Sequence, residues 1–285
     1  MIKIFSYNGV NPEFIEVQLA SFKKHLQEDF EFIVLNDSDL DADLEKPKEV
    51  SQICNSLSIP IIEVQRNTAI EALWMRNAIV DKPGEKLFDE NGRFFKGVSN
   101  APNYMLQWEW EQVVSKESGP VCLVHSDVFL IESIVLTDYL KEHSMATTVP
   151  LWLTLAQLGD FTCLSDAFFL ADIPKLPSPE TMAWFPATVE GHWTDTGGPT
   201  YYWLKAHPEI NPLTIGSTEF EDDPCLDFHP AHCEFFNLPD GKKVFHYLSG
   251  SRWLSDLPGY WNLSKEQSDA YHAGKLAWTR KLIGL

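Results

Sequence analysis

The start of the chain constrains the fold most strongly, because it alternates strand, helix and strand patterns. Ile2–Tyr7 is a β-rich alternating run, apolar residues at helical spacing follow from Phe14 to Leu26, and Phe30–Leu35 is again β-rich. This order predicts two parallel strands joined by a right-handed crossover. Because ligands of such sheets bind beyond the carboxyl ends of the strands, we expect functional residues in loops 6–9 and 36–39.

The remaining elements are less regular. Ile61–Val64 is predicted as a short strand, and Ala69–Val80 and Tyr104–Val114 as helices, with a loop over 81–100. Val121–Val124 is a continuous apolar run, which is typical of a central strand covered on both faces. We therefore predict an α/β fold with a mostly parallel central sheet flanked by helices.

The second half of the chain has shorter apolar segments and many of the 18 prolines. We expect it to form an irregular α+β half packed on the first. The predicted organisation is a single domain with two halves, 1–135 and 136–285.

Charge and composition exclude several classes of protein. The chain has 285 residues and a net charge of −19, which argues against nucleic acid as a partner. No stretch approaches the roughly 18 apolar residues of a membrane-spanning helix, and the N-terminus lacks the apolar core of a signal peptide. The five scattered cysteines do not suggest a disulfide framework. We expect a cytoplasmic protein without a transmembrane segment.

The chemistry is concentrated where the apolar run Val121–Val124 ends in His125-Ser126-Asp127. In extended backbone, residues two apart place their side chains on the same face. An imidazole and a carboxylate on one face are able to share a divalent cation, which in turn holds a diphosphate. The motif therefore predicts a metal site beyond the carboxyl end of a central strand.

This segment resembles the Asp-x-Asp motif of nucleotide-sugar glycosyltransferases of the GT-A fold, with His125 in the place of the first Asp. A later segment, from His246 to Arg252-Trp253, resembles the His-x-x-Gly-x-Lys-Pro-Trp block of the retaining, glycogenin-like and galactosyltransferase-like families. It departs from that block by one extra residue between His and Gly, and by Arg-Trp in place of Lys-Pro-Trp. The resemblance covers roughly the first 130 residues and the block around His246. It implies that the half 1–135 binds the nucleotide sugar and that the half 136–285 is the acceptor-binding and C-terminal half of the same GT-A-like domain.

The resemblance implies a GT-A-like, Rossmann-like sheet and a transferase that uses Mn²⁺ or Mg²⁺ and a nucleotide-diphosphate sugar. Arg252 would stabilise the leaving diphosphate, since arginine keeps the charge of the family's lysine. The remaining implied residues fall into two sets. The metal ligands are Asp127, His246 and His125, and the residues beside the diphosphate are Ser126, Gly250 and Ser251.

Four further residues are candidates for the donor site. Tyr7 and Asp37 lie at the ends of the first two strands, where GT-A enzymes hold the base and ribose. Arg66 precedes the predicted helix 69–80 and Arg76 lies within it, and either would face the diphosphate. Each has a simpler structural alternative: packing of the Tyr7 ring at the surface, a turn or helix cap at Asp37, and exposed helix cations at the two arginines.

The segment 190–199 is the candidate acceptor site, because its glycines and its proline present polar groups from a loop. Trp193 would stack on a sugar ring and Asp195 would bind its hydroxyls. Asp195 would be the general base of an inverting enzyme, or would position the acceptor in a retaining one. The His246 block favours retention. Ordinary turn chemistry is the alternative for this loop.

The sequence thus predicts a glycosyltransferase acting on a glycan, lipid or protein acceptor. Two alternatives stay open. A nucleotidyltransferase that makes an activated sugar would need a Gly-rich, cation-bearing loop after the first strand, whereas residues 6–10 contain one Gly and no cation. A non-catalytic nucleotide- or sugar-binding protein of the same fold is kept open by His125, since the family has Asp there.

Overall fold

The computed structural model describes residues 1–8, 12–36, 45–63, 101–149, 162–194, 196–220, 233–248 and 264–285. The strands are β1 Ile2–Tyr7, β2 Phe30–Asn36, β3 Ile61–Glu63, β4 Pro120–His125, β5 Val128–Leu130, β6 Met145–Thr148, β7 Phe168–Asp172, β8 Ala187–Val189, β9 His192–Thr194, β10 Leu213–Phe220, β11 Cys233–Asn237 and β12 Lys243–His246. The α-helices are α1 Pro12–His25, α2 Glu45–Ser56, α3 Ala101–Gln112, α4 Thr200–Ala206 and α5 Lys265–Ile283.

The main sheet has the strand order β3-β2-β1-β4-β7-β6-β10-β11-β12-β5. Strands β3, β2, β1 and β4 are all parallel, with β1 in register between β2 and β4. The predicted fold class, an α/β fold with a parallel core and flanking helices, is confirmed. Beyond β4 most pairings are antiparallel, so the second half contributes more regular strand than its prolines indicated.

Strand β10 joins the two parts of the sheet. Its residues Leu213–Ile215 pair with β6, and residues from Gly216 onward pair with β11. At the far edge lies β5, although only Ser126 and Asp127 separate it from β4 near the middle of the sheet. The sheet must therefore curl, so that its last strands return to the carboxyl end of β4.

The central strands are covered on both faces, as the apolar run in β4 predicted. Cys122 and Val124 belong to one buried cluster together with residues of α1, and Val121 and Leu123 belong to another that includes Trp110 of α3. A third cluster packs α1 against β5, β12 and α5. Because both faces of β4 are buried, only its carboxyl end is available to carry polar chemistry.

Most predicted elements lie within a few residues of the observed ones. Strand β1 has the predicted bounds, and α3 starts three residues before the predicted Tyr104. The Ser264 hydroxyl accepts from the backbone of Gln267, whose side chain accepts in return, and this capping box starts α5. The predicted helix 69–80 and loop 81–100 lie outside the described residues, and the division at 135 stays a prediction. Among the helices described, none is long and apolar enough to cross a bilayer.

Candidate metal and donor site

Three predicted metal ligands come together at the carboxyl end of β4. Candidate ligand atoms of His125, Asp127 and His246 all lie within 4.8 Å of one another. The ladder explains the convergence: His246 pairs with Val128 at the start of β5, and the Tyr247 amide donates to the Asp127 carbonyl over 2.8 Å. The return of β12 to the β4–β5 turn therefore builds the cluster.

Each of the two imidazoles also contacts a second carboxylate. Nδ1 of His246 lies 2.6 Å from Oε1 of Glu234, its neighbour in register on β11, while Nε2 lies 3.3 Å from Oδ1 of Asp127. Nε2 of His125 lies 2.9 Å from Oδ2 of Asp166, just before β7. Glu234, Asp127, His246 and Asp166 are all buried. The imidazoles are thus oriented by carboxylates on their far sides.

These carboxylates determine the protonation of the imidazoles. Burial by itself would lower the pKa of His246, but Asp127 and Glu234 outweigh it and raise the pKa to about 9. The pKa of His125 is also raised, because attraction to Asp166 and Asp127 outweighs burial and repulsion from His246. In the absence of a cation, the neighbouring carboxylates thus shift the pKa of both imidazoles in the direction of the protonated form.

The donor set fits a divalent cation. A carboxylate oxygen and two imidazole nitrogens are ordinary ligands of divalent first-row metals. Asp127 would offer Oδ1 and His246 its Nε2, and the contact between Nε2 of His125 and Asp166 makes Nδ1 the nitrogen that His125 offers. A dication there would supply positive charge next to the carboxylate of Asp127.

Other predicted donor residues lie beside this cluster. Tyr7 is in register with His125, and the two rings meet edge to face with centroids 5.3 Å apart. Ser126 lies in the turn itself and is half-buried.

The predicted acceptor residue Trp193 lies outside the main sheet. Its backbone belongs to β9, which in the described part of the chain pairs only with β8, in a small separate sheet. Seven predicted residues lie outside the described ranges, namely Asp37, Arg66, Arg76, Asp195, Gly250, Ser251 and Arg252.

Sequence reasoning missed Asp166 and Glu234. A signal for Glu234 was present, because an acid inside the apolar run Cys233–Phe236 is unusual unless it is paired. Asp166 stands directly before the apolar run of β7, where a polar residue is indistinguishable from a turn residue. Its role depends on β7 lying next to β4, a pairing that no local pattern reveals.

The chain matches no protein-family model, and no curated protein matches its sequence. Among solved structures, mouse xyloside xylosyltransferase 1 in its apo form is similar over 74% of this chain and 84% of its own, with 9% identity and a TM-score of 0.43.

Two further structures are similar. The galactosyltransferase LgtC in complex with donor and acceptor sugar analogues matches over 74% of this chain and 66% of its own (10% identity, TM-score 0.39). The mannosyltransferase PcManGT from Pyrobaculum calidifontis, in complex with GDP-Man and Mn²⁺, matches over 75% and 54% (8% identity, TM-score 0.38). These identities and TM-scores establish no family for this chain. Its α/β fold is defined by its own strand order.

Proposed function

We propose that the chain is a glycosyltransferase that transfers a sugar from a nucleotide-diphosphate donor to a hydroxyl acceptor with the help of a divalent cation. The observation that carries the proposal is the convergence of His125, Asp127 and His246 beyond the carboxyl end of β4. These residues come from two separate segments that resemble the two metal-binding segments of GT-A transferases. Their proximity in space supports the proposal that the two segments form one metal site.

The roles of the residues follow from their chemistry. Asp127, His246 and His125 hold the cation, while Glu234 and Asp166 keep the two imidazoles in orientation. A cation bound there supplies positive charge to the diphosphate as the bond between sugar and phosphate breaks. Tyr7, whose ring edge meets His125, lies where a nucleoside next to that diphosphate would stack.

The residues outside the described ranges complete the proposal. Arg252 adds charge stabilisation to the leaving group, with Gly250 and Ser251 allowing close approach of the backbone. Asp37 binds the ribose, and Arg66 and Arg76 face the diphosphate. Their placement is proposed from the sequence alone.

The acceptor binds on the side of the segment 190–199. Trp193 stacks on it, and Asp195 binds its hydroxyls. Retention of configuration is proposed, since the His246 block resembles that of retaining families. The acceptor is a glycan, a lipid or a protein.

The alternatives predict different behaviour. A nucleotidyltransferase would release inorganic pyrophosphate from a nucleoside triphosphate and a sugar phosphate, whereas the proposed enzyme releases a nucleoside diphosphate from a nucleotide sugar. A non-catalytic binding protein would bind the donor without hydrolysing it. Cys54, Cys122 and Cys163 are free thiols, which is compatible with the proposed cytoplasmic location.

The proposal is tested by thermal unfolding against a panel of nucleotides and nucleotide sugars, with Mn²⁺ or with EDTA. A ligand at 100 times its dissociation constant adds about 2.7 kcal/mol to the free energy of unfolding, which is measurable as a shift in Tm. We expect a shift for one nucleotide family that depends on metal and is lost in Asp127→Ala and His246→Ala. His143→Ala is the matched control, since His143 contacts Asn211 away from the site.

Release of nucleoside diphosphate is then followed with the donor that binds. Metal-dependent release by the wild-type chain, abolished in Asp127→Ala, would support the transferase over a binding protein. Failure of every nucleotide to shift Tm would refute the proposed function. A nucleotide-induced shift in Tm that is unaffected by EDTA would show that donor binding does not require a metal ion.

A further inference from the structure

We propose that the site prefers a first-row transition cation of the Co²⁺ and Zn²⁺ type over Mg²⁺, and that Asp166 and Glu234 are the positioning residues that create this preference. The inference rests on the proposed function only in taking the cluster of His125, Asp127 and His246 as a cation site. It adds the chemical class of the cation and two residues that no motif suggested.

The first observation is the identity of the candidate ligands. Two of the three side chains are imidazoles, and Asp127 is the one carboxylate among them. Imidazole nitrogen suits Zn²⁺, Co²⁺, Fe²⁺ and Ni²⁺, whereas Mg²⁺ and Mn²⁺ are better matched by carboxylate, carbonyl and water oxygens. Affinity for such sites rises from Mn²⁺ through Fe²⁺ and Co²⁺ to Ni²⁺. The donor set therefore disfavours Mg²⁺ at the level of ligand type.

The second observation is where the other two carboxylates lie. Glu234 and Asp166 do not join Asp127 in the cluster but lie behind the imidazoles, at 2.6 Å from Nδ1 of His246 and 2.9 Å from Nε2 of His125. A carboxylate in this position fixes the orientation of the ring and makes the opposite nitrogen a stronger donor. The negative charges of Glu234 and Asp166 thus act on the cation through imidazole nitrogens, and Asp127 alone offers a carboxylate oxygen directly.

The third observation is that both pairs are fixed by the sheet. Glu234 and His246 are in register on adjacent strands, so their side chains lie on the same face. His125 ends β4, and its amide donates to the carbonyl of Ala167, the residue after Asp166, over 3.1 Å. The side chains of Glu234 and His246 are each 8% exposed. Water therefore competes weakly for the contact between Glu234 and His246, whereas the side chain of His125 is 31% exposed and that of Asp166 11%.

The experiment measures cation binding directly and without activity. The chain is stripped with EDTA, and the affinities for Co²⁺, Mn²⁺ and Mg²⁺ are measured by competition with a metal-sensitive chelating dye. Visible absorption of bound Co²⁺ reports nitrogen ligation independently. We expect Co²⁺ to bind at least about tenfold more tightly than Mg²⁺ in the wild-type chain.

Three variants separate the contributions. His125→Asp exchanges one nitrogen for oxygen, so the ratio of Co²⁺ to Mg²⁺ affinity should fall by about tenfold. Glu234→Gln and Asp166→Asn keep the shape of the side chains, and each should weaken Co²⁺ binding by about 10–100-fold. Circular dichroism and Tm in EDTA identify any variant that fails to fold, and the wild-type selectivity tests the preference without any variant.

The outcomes are distinguishable from failure of the proposed function. Equal wild-type affinity for Mg²⁺ and Co²⁺ would overturn the inference while leaving a metal-dependent transferase intact. Unchanged Co²⁺ affinity in folded Glu234→Gln and Asp166→Asn would overturn the positioning roles. If no cation binds at all, the inference fails, and the nucleotide panel in EDTA decides separately whether the donor site exists.

Discussion

The side-chain amide of Gln18 donates to the backbone carbonyl of His125 over 2.7 Å and, through its other hydrogen, to that of Val128 over 2.8 Å. These two carbonyls flank the turn that carries Asp127. Gln18 lies on α1, is fully buried, and accepts a hydrogen bond from the Ser6 hydroxyl of β1. One side chain of the crossover helix therefore fixes the turn on which the candidate metal site is built.

Replacing this amide tests that relationship. In Gln18→Leu two carbonyls lose their donor, so we expect the free energy of unfolding to fall by about 1–3 kcal/mol. Cation affinity should fall as well, because the turn is no longer held. Urea unfolding and dye competition measure the two effects. Gln27→Leu, at an exposed glutamine, is the matched control and should change neither. Unaltered cation affinity in folded Gln18→Leu would show that the turn keeps its shape without the hydrogen bonds from the Gln18 amide.

Stability of the metal-free chain should depend on pH through His246. Its pKa is raised from an ordinary 6.5 to about 9, so the folded state binds this proton more tightly than the unfolded state does. The resulting stabilisation is complete below pH 6.5 and is lost as the pH rises through about 9. His125 contributes in the same direction. We expect the urea midpoint in EDTA to decrease over this range.

The variant His246→Gln isolates this effect, because it removes the imidazole whose pKa is raised to about 9. Its urea midpoint should change less between pH 6.5 and 9 than that of the wild type. An identical pH dependence in the variant would assign the effect to other groups. Saturating Co²⁺ should also flatten the wild-type curve, since metal replaces the proton.

Two glycines of the candidate acceptor region should respond differently to alanine. Gly191 and Gly197 both have positive φ, at +83° and +81°. A β-carbon at Gly191 meets nothing within 4 Å, whereas at Gly197 it would overlap the carbonyl oxygen of Leu164. In Gly191→Ala we expect the free energy of unfolding to fall by about 1–2 kcal/mol, from backbone strain alone. In Gly197→Ala we expect the same loss from strain and an additional loss of about 1–3 kcal/mol from overpacking.

Equilibrium unfolding in urea measures the difference between these two variants. The comparison is matched, since both substitutions impose nearly the same φ and add the same methyl group. Equal losses would mean that the segment around Leu164 moves aside without penalty.

Thiol reactivity should reveal the burial of the cysteines. Cys54, Cys122, Cys163 and Cys233 are buried, and burial raises the pKa of Cys54 to about 11 and that of Cys163 to about 12. Because the thiolate is the reactive form, these four should react with a disulfide reagent at pH 8 only after unfolding. At most one thiol, Cys225, should react quickly, and Cys225→Ser should abolish that phase. A second fast thiol in the folded chain would contradict the described burial.

Local sequence patterns predicted the strands and helices whose formation depends on residues close together in the sequence. The strands β1 and β4 and the helix α1 were predictable because period-2 and period-3.6 patterns, or an unbroken apolar run, report which faces are buried. His125 and Asp127 were predicted as a pair from their spacing after an apolar strand, whereas His246 was predicted only through resemblance to a family. Nothing in the spacing of these residues shows that β12 returns to the turn after β4.

The partners of the triad depend on long-range pairing. Glu234 meets His246 because β11 and β12 are in register, and Asp166 meets His125 because β7 lies beside β4. A shift of either register by one residue would send the carboxylate to the opposite face of the sheet. Such registers are set by the summed packing of whole strands, which no short motif encodes.

The pairing of β12 with β5 has a consequence for how the chain folds. Val128 and His246 face each other although most of the second half of the chain lies between them, so this contact closes a very long loop. Long-range strand pairings of this kind form slowly, and the parallel core of β1, β2 and β4 is able to assemble without them. We therefore expect the cation site to form at the end of folding. Added metal should slow the unfolding of the folded chain, but it should not accelerate the early collapse of the refolding chain.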